Sequence, residues 1–346
     1  FPGEESTVWT NGEKLSSIGA AFVNATMASD LDIDDGNRSA LGHPGSVIIP
    51  ACIAIAEKED ISARQLMEGI ILGYDIAVRY GEVLLRNERK RFYGSGTWAV
   101  VGAVAGLCKM TRCDEDLFLS GLGIAEAYAS LSPVMKSIQN GSNTKETIGW
   151  ASFSAVLAFE LTKRGFMGVT NMLFHEEESE GYEGLDDLGV EFKVTKTYFK
   201  RYSSCRWSHG PIEAMLKLKK TYALSACDVK SIIVKTHEKA MSLNTVEPKN
   251  YIQAEYSIPF ALANIIVHSH MGPNQLISKN LSDKRILSIA HKVQLEHSPK
   301  CQALFPDKST AEVIVILNDG QVLCSKIISP KGDWDDPLSW KDICIK

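Results

Sequence analysis

Four groups of residues carry side chains suited to moving a proton or holding an acid. The first runs from Asp30 through Asp32, Asp34 and Asp35 to Arg38 and His43, and Pro44 follows directly. Proline is favoured at the first position of a helix, so His43 is expected beside a helix N-terminus, where free N–H groups and the helix dipole attract anions. Imidazole titrates near neutrality and a nearby carboxylate can fix its tautomer, so this cluster reads as a general acid/base site or, in the alternative, as a solvated acidic loop with a capping His. Aspartate and histidine are also metal ligands, but no known ligand spacing is present.

The second group is 89–97, Arg-Lys-Arg-Phe-Tyr-Gly-Ser-Gly-Thr. A Gly/Ser loop opening a helix can cradle an anion, though the Gly-Lys-Ser/Thr ending of a P-loop is missing. The alternative is a basic, solvated surface loop. The third is Lys145, after the polar stretch 137–144: an anion ligand on the surface, or a proton carrier if buried. The fourth is 198–209, where Lys200, Arg201 and Arg206 lie among aromatics and His209. It reads as a carboxylate-binding segment.

The chain that must position these groups has 346 residues, more than one ordinary core takes, so two domains are expected. Its 37 cations against 42 anions give a net charge of −5 and a pI near 6.0, which argues against a broad nucleic-acid surface. No apolar run is long enough for a membrane helix, and the first residues resemble neither a signal nor a transit peptide. The eight cysteines are scattered without a C-x-x-C, as expected of reduced thiols in a cytoplasmic protein.

Helical patterns are predicted over 15–29, 44–59 (with Pro50 inside), 62–86, 97–110, 114–130 and 146–164, with 136–144 as a polar loop. The acidic stretch 175–187 is the expected boundary. Beyond it, helices are predicted near 210–222, 257–268 and 282–291. Strands are predicted at 229–236, 313–317 and 321–328, the last two joined by the hairpin signal Asn318-Asp319-Gly320. The fold class is mainly α: a large helical-bundle domain plus a smaller α+β lid domain with an antiparallel sheet. The domains are expected at 1–190 and 191–329, with 330–346 returning toward the helical part.

SDLDIDDGNRSALGHPGSVIIPACIAIAE, RFYGSGTWAVVGAVAGLCK, the GIAEAYAS helix, TKETIGWASFSAVLAFELTKRGFMG, FKRYSSCRWSH, AEYSIPFALA and LNDGQVLCSKIISPKGDWDDPLS, in that order, resemble the MmgE/PrpD family. Its members include 2-methylcitrate dehydratase, cis-aconitate decarboxylase and iminodisuccinate epimerase. The resemblance implies a homodimer, no required metal or organic cofactor, and a small carboxylic-acid substrate. It also implies a helical domain that is incomplete at both ends of this chain. Asp32 and His43 match the family's active-site Asp and His, Lys145 its active-site Lys, and Lys200 a basic residue at the start of the lid. Tyr93 stands where many relatives carry His, and Gly36 where a Thr often follows the acidic run. The expected catalytic set is therefore His43, Lys145, Tyr93 and Asp32, with Arg91, Lys200, Arg206 and Arg38 binding substrate. The expected reaction is a hydro-lyase step by α-proton abstraction. The alternatives are a cofactor-independent epimerase, which Tyr93 opposite Lys145 would suit, and a non-catalytic metabolite-binding paralogue.

Overall fold

The computed structural model describes residues 1–87, 94–131, 134–175 and 183–346. The chain is mainly α-helical with a smaller α+β part, and it forms two compact units. The first comprises Phe1–Asp30, Asp34–Ser137 and Thr144–Tyr198; the second comprises Leu31–Ile33, Ile138–Asn143 and Phe199–Lys346. Among the described residues no helix is long and apolar enough to cross a membrane.

In the first unit, the short strands β1 (Ser6–Thr7) and β2 (Lys14–Leu15) pair and lead into α1 (Ser17–Asp30). A short strand, β3 (Asp35–Asn37), follows the acidic run. Then come α2 (Gly45–Lys58), α3 (Ala63–Asn87), α4 (Gly96–Met110), α5 (Glu115–Ala127), α6 (Val134–Gln139) and α7 (Ile148–Lys163). α6 takes up the start of the stretch read as a polar loop. Its apolar residues Val134 and Ile138 are buried, and that pull outweighs the polar composition around them. α2 passes through Pro50 and stays one helix, its apolar residues Val47, Ile48, Cys52 and Ile55 fully buried.

α4 is the centre of this unit, packing against α2, α3, α5 and α7, with all but one of its residues buried. The small side chains noted in the sequence explain how. A Cβ at Gly102 would collide with the backbone carbonyl of Gly73 and with Ala77, so α3 and α4 approach backbone to backbone there. Trp98, Leu107, Met110, Leu122, Phe159 and Leu173 fill the remaining core.

The second unit opens with the end of β4 (Thr197–Phe199) and α8 (Arg206–Tyr222). β5 (Val229–Thr236), α9 (Tyr251–Glu255), α10 (Ile258–His268), α11 (Ser278–Leu281) and α12 (Lys284–Ala290) follow. Then come β6 (Val293–His297), α13 (Pro299–Gln302), β7 (Ala311–Leu317), β8 (Val322–Cys324) and α14 (Trp340–Ile345). The main sheet has the order β6-β5-β7-β8. The hairpin is present, Gly320 taking the left-handed conformation (φ +92°) that the turn requires. β8 is shorter than the predicted 321–328, since beyond Cys324 only Ile328 bridges back, to Ala311. The sheet is mixed, because β6 pairs with β5 in parallel (Ile232 opposite Val293). β6 escaped the sequence reading because only Val293 of its five residues is buried, so it lacks the apolar alternation of a strand. α8 covers the inner face of the sheet and also packs on α10. Ile212, Met215 and Leu218 face a core built from Ile232, Val234, Val313, Val315 and Phe260.

Candidate active site

The His43 ring lies in the first unit between two carboxylates. Its Nδ1 is 2.5 Å from the backbone carbonyl of Asp35 and 3.6 Å from Asp34 Oδ1; its Nε2 is 3.5 Å from Glu146 Oε1. A carbonyl only accepts, so the proton belongs on Nδ1, and Nε2 is the nitrogen that can take or give one. The ring is nine-tenths buried, which strengthens each of these interactions.

Each partner is itself held. Tyr74 donates to Asp35 Oδ2 (2.7 Å) and the Gly45 amide to Asp35 Oδ1 (3.3 Å), so Asp35 accepts from the first turn of α2. Ser46, one residue further along, donates to Asp34 Oδ2 (2.7 Å). The Ser95 amide (2.9 Å) and hydroxyl donate to Glu146 Oε2, and the same hydroxyl accepts from the His43 amide (2.8 Å). One serine thus ties His43 to Glu146.

The two buried carboxyls are pushed in opposite directions. Burial, reinforced by the neighbouring Asp34, raises Asp35 to about 6 against the pull of Tyr74 and His43. Burial would raise Glu146 as well, but His43 and the Ser95 hydroxyl and amide overcome it and hold Glu146 at about 2. Two carboxyls of unlike acidity beside one imidazole are a means of separating donor and acceptor roles.

The segment Lys145–Thr147 is strained. Lys145 (φ +33°) and Thr147 (φ +58°) are both left-handed, a conformation that a β-branched residue resists. Its surroundings fix it in place. Lys145 is 6% exposed, and its ammonium donates to the carbonyls of Ser29 (2.9 Å) and Asp30 (3.0 Å), the negative end of α1. Thr147 Oγ1 meets Ser130 Oγ at 2.6 Å, and the Gly96 amide donates to the Glu146 carbonyl (2.9 Å). Position 96 must be glycine, since a Cβ there would stand 2.5 Å from Thr147 Oγ1. Strain and close approach together set Glu146 toward His43.

Arg38 is half-buried and its guanidinium stacks over the Tyr198 ring, 5.2 Å from the centroid. Arg91 and Tyr93 lie outside the described residues.

In the second unit, Asp32 and Lys200 form a buried ion pair of 3.0 Å, with side chains 5% and 0% exposed, and Tyr256 donates to the same Asp32 oxygen (3.2 Å). Arg206 is also buried. Its guanidinium donates to the carbonyls of Lys331 (2.8 Å) and Pro330 (3.1 Å) and pairs with Asp333 (3.1 Å), fastening 330–333 to the start of α8. His209 is held well below the usual imidazole range by burial and by the cations Arg206 and Lys200.

The sequence reading singled out His43 and its aspartates but missed Glu146, Ser95 and Tyr74. Ser95 had a signal in its Gly-Ser-Gly setting. Glu146 had one in its place beside Lys145 after the polar stretch, although it read there as the first residue of a helix. Tyr74 had none, being one of several apolar-face residues along α3.

Glu146 also sets an expectation for acid stability. Its folded carboxyl is more acidic than its unfolded one, so its contribution is complete above about pH 4.5 and is lost as pH falls toward 2. Asp35, raised to about 6, acts oppositely, its contribution declining as pH rises from about 4 to 6. Urea unfolding of wild type and Glu146→Gln across pH 2–7 is expected to show a stability gap of about 3 kcal/mol above pH 5 that closes toward pH 2. A gap independent of pH would show that the carboxylate charge is not what the site uses.

Comparison with known proteins agrees with the resemblance. The family model of the MmgE/PrpD N-terminal domain matches residues 1–184, and that of the MmgE/PrpD C-terminal domain matches residues 202–346. The chain is 24% identical over 358 residues to "Cis-aconitate decarboxylase" of Aspergillus terreus (strain NIH 2624 / FGSC A1156), covering 93% of this chain and 72% of the relative. It is 23% identical over 378 residues to "2-methylcitrate dehydratase, mitochondrial" of Yarrowia lipolytica (strain CLIB 122 / E 150), covering 93% and 68%. With both domain models matched in order and nearly the whole chain covered, the protein belongs to the MmgE/PrpD family.

Proposed function

We propose that the protein is a lyase that removes a proton α to a carboxylate of a small di- or tricarboxylic acid and expels a group from the neighbouring carbon. The observation that carries this reading is the His43 ring, pinned through Nδ1 on the Asp35 carbonyl with Nε2 presented toward Glu146. A carbon acid of this kind is weak, so a base must be paired with stabilisation of enolate-like charge. In this reading His43 Nε2 takes the α-proton, and Asp34 and Glu146 stabilise the imidazolium that forms. Lys145 supplies a positive charge and a proton for the leaving group. Arg38 and Arg91 bind carboxylates, while Asp32, Lys200 and Arg206 hold the second unit's own segments in place. The names of the relatives, a decarboxylase and a dehydratase, support loss of a group from a carboxylic acid.

A second reading, a cofactor-independent epimerase, rests on the family resemblance, in which Tyr93 stands where many relatives carry His. Two groups on opposite faces of one carbon would then take and return the proton. In either reading the protein is expected to act as a homodimer. The exposed apolar side chains Trp150, Met167 and Val169 of the first unit support a partner surface. The eight free cysteines support a reducing compartment such as the cytoplasm.

Product analysis tests the main reading. Purified protein incubated with 2-methylcitrate and citrate is expected to give an unsaturated acid and water from one of them, whereas carbon dioxide from cis-aconitate without α-proton removal would overturn the step. Inversion of a dicarboxylate stereocentre without loss of any group would replace the lyase by the epimerase.

A further inference from the structure

The end of α4 carries two thiols that the chemistry above does not use. Arg112 is left-handed (φ +57°), its amide donates to the Lys109 carbonyl (3.2 Å), and the Cys113 amide donates to the Cys108 carbonyl (2.9 Å). These two bonds define a Schellman motif. In that motif the side chain two residues past the cap folds back onto the side chain in the last turn, a contact usually made by two apolar groups. Here the two side chains that the motif sets against each other are Cys113 and Cys108. Backbone geometry, not chance proximity, therefore pairs these two positions.

The two are not equivalent. Cys108 is 2% exposed and packed inside the first unit's core, whereas Cys113 is half-buried and reachable. The neighbouring Cys108 thiol lowers the Cys113 thiol to about 6, against burial and the nearby Asp114; the Thr111 hydroxyl, 3.4 Å from the sulfur, and the Lys163 ammonium assist. The Cys113 sulfur beside it, together with burial, raises Cys108 well above the usual range. One thiolate open to solvent, with a protonated thiol against it, is the arrangement of an attacking and a resolving cysteine.

We propose that this helix end is a redox-responsive dithiol, in which Cys113 meets a peroxide first and Cys108 then closes a disulfide with it. In the first step the Cys113 sulfur attacks one peroxide oxygen. An S–O bond forms, the O–O bond breaks, and the departing oxygen leaves as water (or an alcohol) after taking up a proton. The sulfur is oxidised by two electrons to a sulfenic acid, and the peroxide is reduced. In the second step the Cys108 sulfur attacks the sulfenic sulfur, the S–S bond forms, and the sulfenic oxygen leaves as water with the Cys108 proton. A dithiol reductant returns the disulfide to two thiols, itself becoming a disulfide.

The test treats the full chain with hydrogen peroxide, blocks the remaining thiols with iodoacetamide, and maps tryptic peptides. Lys109 and Arg112 lie between the two cysteines, so the disulfide joins two separate peptides and is unambiguous. The expected result is a Cys108–Cys113 cross-link that forms before the exposed Cys227, Cys324 and Cys344 are oxidised and disappears on reduction. Alkylation of Cys113 in the untreated chain is expected to be half-maximal near pH 6. Cys108→Ser is expected to stop at a sulfenic acid on Cys113, trapped by dimedone, and Cys113→Ser to leave Cys108 unoxidised. Wild-type protein that oxidises at Cys227, Cys324 or Cys344 without the cross-link, or that labels at Cys113 only above about pH 8, overturns the proposal without recourse to a variant.

Discussion

Replacing His43 with glutamine is expected to lower kcat on the accepted acid by about 10²- to 10⁴-fold with little change in KM, the signature of losing proton transfer in the transition state. Glutamine preserves bulk and a hydrogen-bonding end, but it cannot accept the α-proton where Nε2 stands, 3.5 Å from Glu146. Steady-state kinetics on folded variant protein reads the effect, with circular dichroism as the check on folding. Ser95→Ala serves as its companion. It removes the hydroxyl that joins the His43 amide to Glu146 while leaving the imidazole, so a smaller loss of kcat is expected. A His43→Gln enzyme of near wild-type kcat would mean that another group removes the proton.

The largest expected effect on stability is at Lys200. Its ammonium is fully buried against Asp32 at 3.0 Å, and Lys200→Met leaves that carboxylate buried with the Tyr256 hydroxyl as its recorded donor. Breaking one side of such a pair costs about 3–5 kcal/mol, because the remaining charge has already lost its water. Removing both charges costs much less. Lys200→Met is therefore expected to lower Tm by about 10 °C, and Lys200→Met with Asp32→Leu to regain more than half of that loss. Differential scanning calorimetry of the single and double variants decides it. Equal Tm values for wild type and Lys200→Met would show that the pair is not a desolvated one.

Helices α2, α3, α4 and α7 were legible in the sequence to within a residue or two, because their apolar faces coincide with their periodicity and their ends carry Pro44, Gly96 and Gly165. Strand β5 was legible for the same reason. α6 was not, because its neighbours are polar and only burial of Val134 and Ile138 decides it. β6 was not, because an edge strand with one buried side chain has no pattern to read. The acidic run and His43 stood out by residue type. Their wiring did not, since it depends on three-dimensional approaches. Ser95 reaches back over some fifty residues to His43, and Glu146 is delivered by a strained segment whose left-handed Lys145 and Thr147 no propensity anticipates. Arg206 illustrates the reverse. Its neighbours suggest a carboxylate ligand, and nothing in them announces the bonds it makes to the carbonyls of Pro330 and Lys331.

The central claim is that His43 moves a proton at the carbon next to a carboxylate. Solvent exchange followed by proton NMR in deuterated water tests it directly, with small di- and tricarboxylates incubated with the wild-type chain and with His43→Gln. Deuterium at the α-carbon, or an alkene product, is expected for at least one acid with wild type, and a loss of about 10²-fold or more with the variant. No exchange and no product with any acid, from wild-type protein shown to be folded, would contradict it.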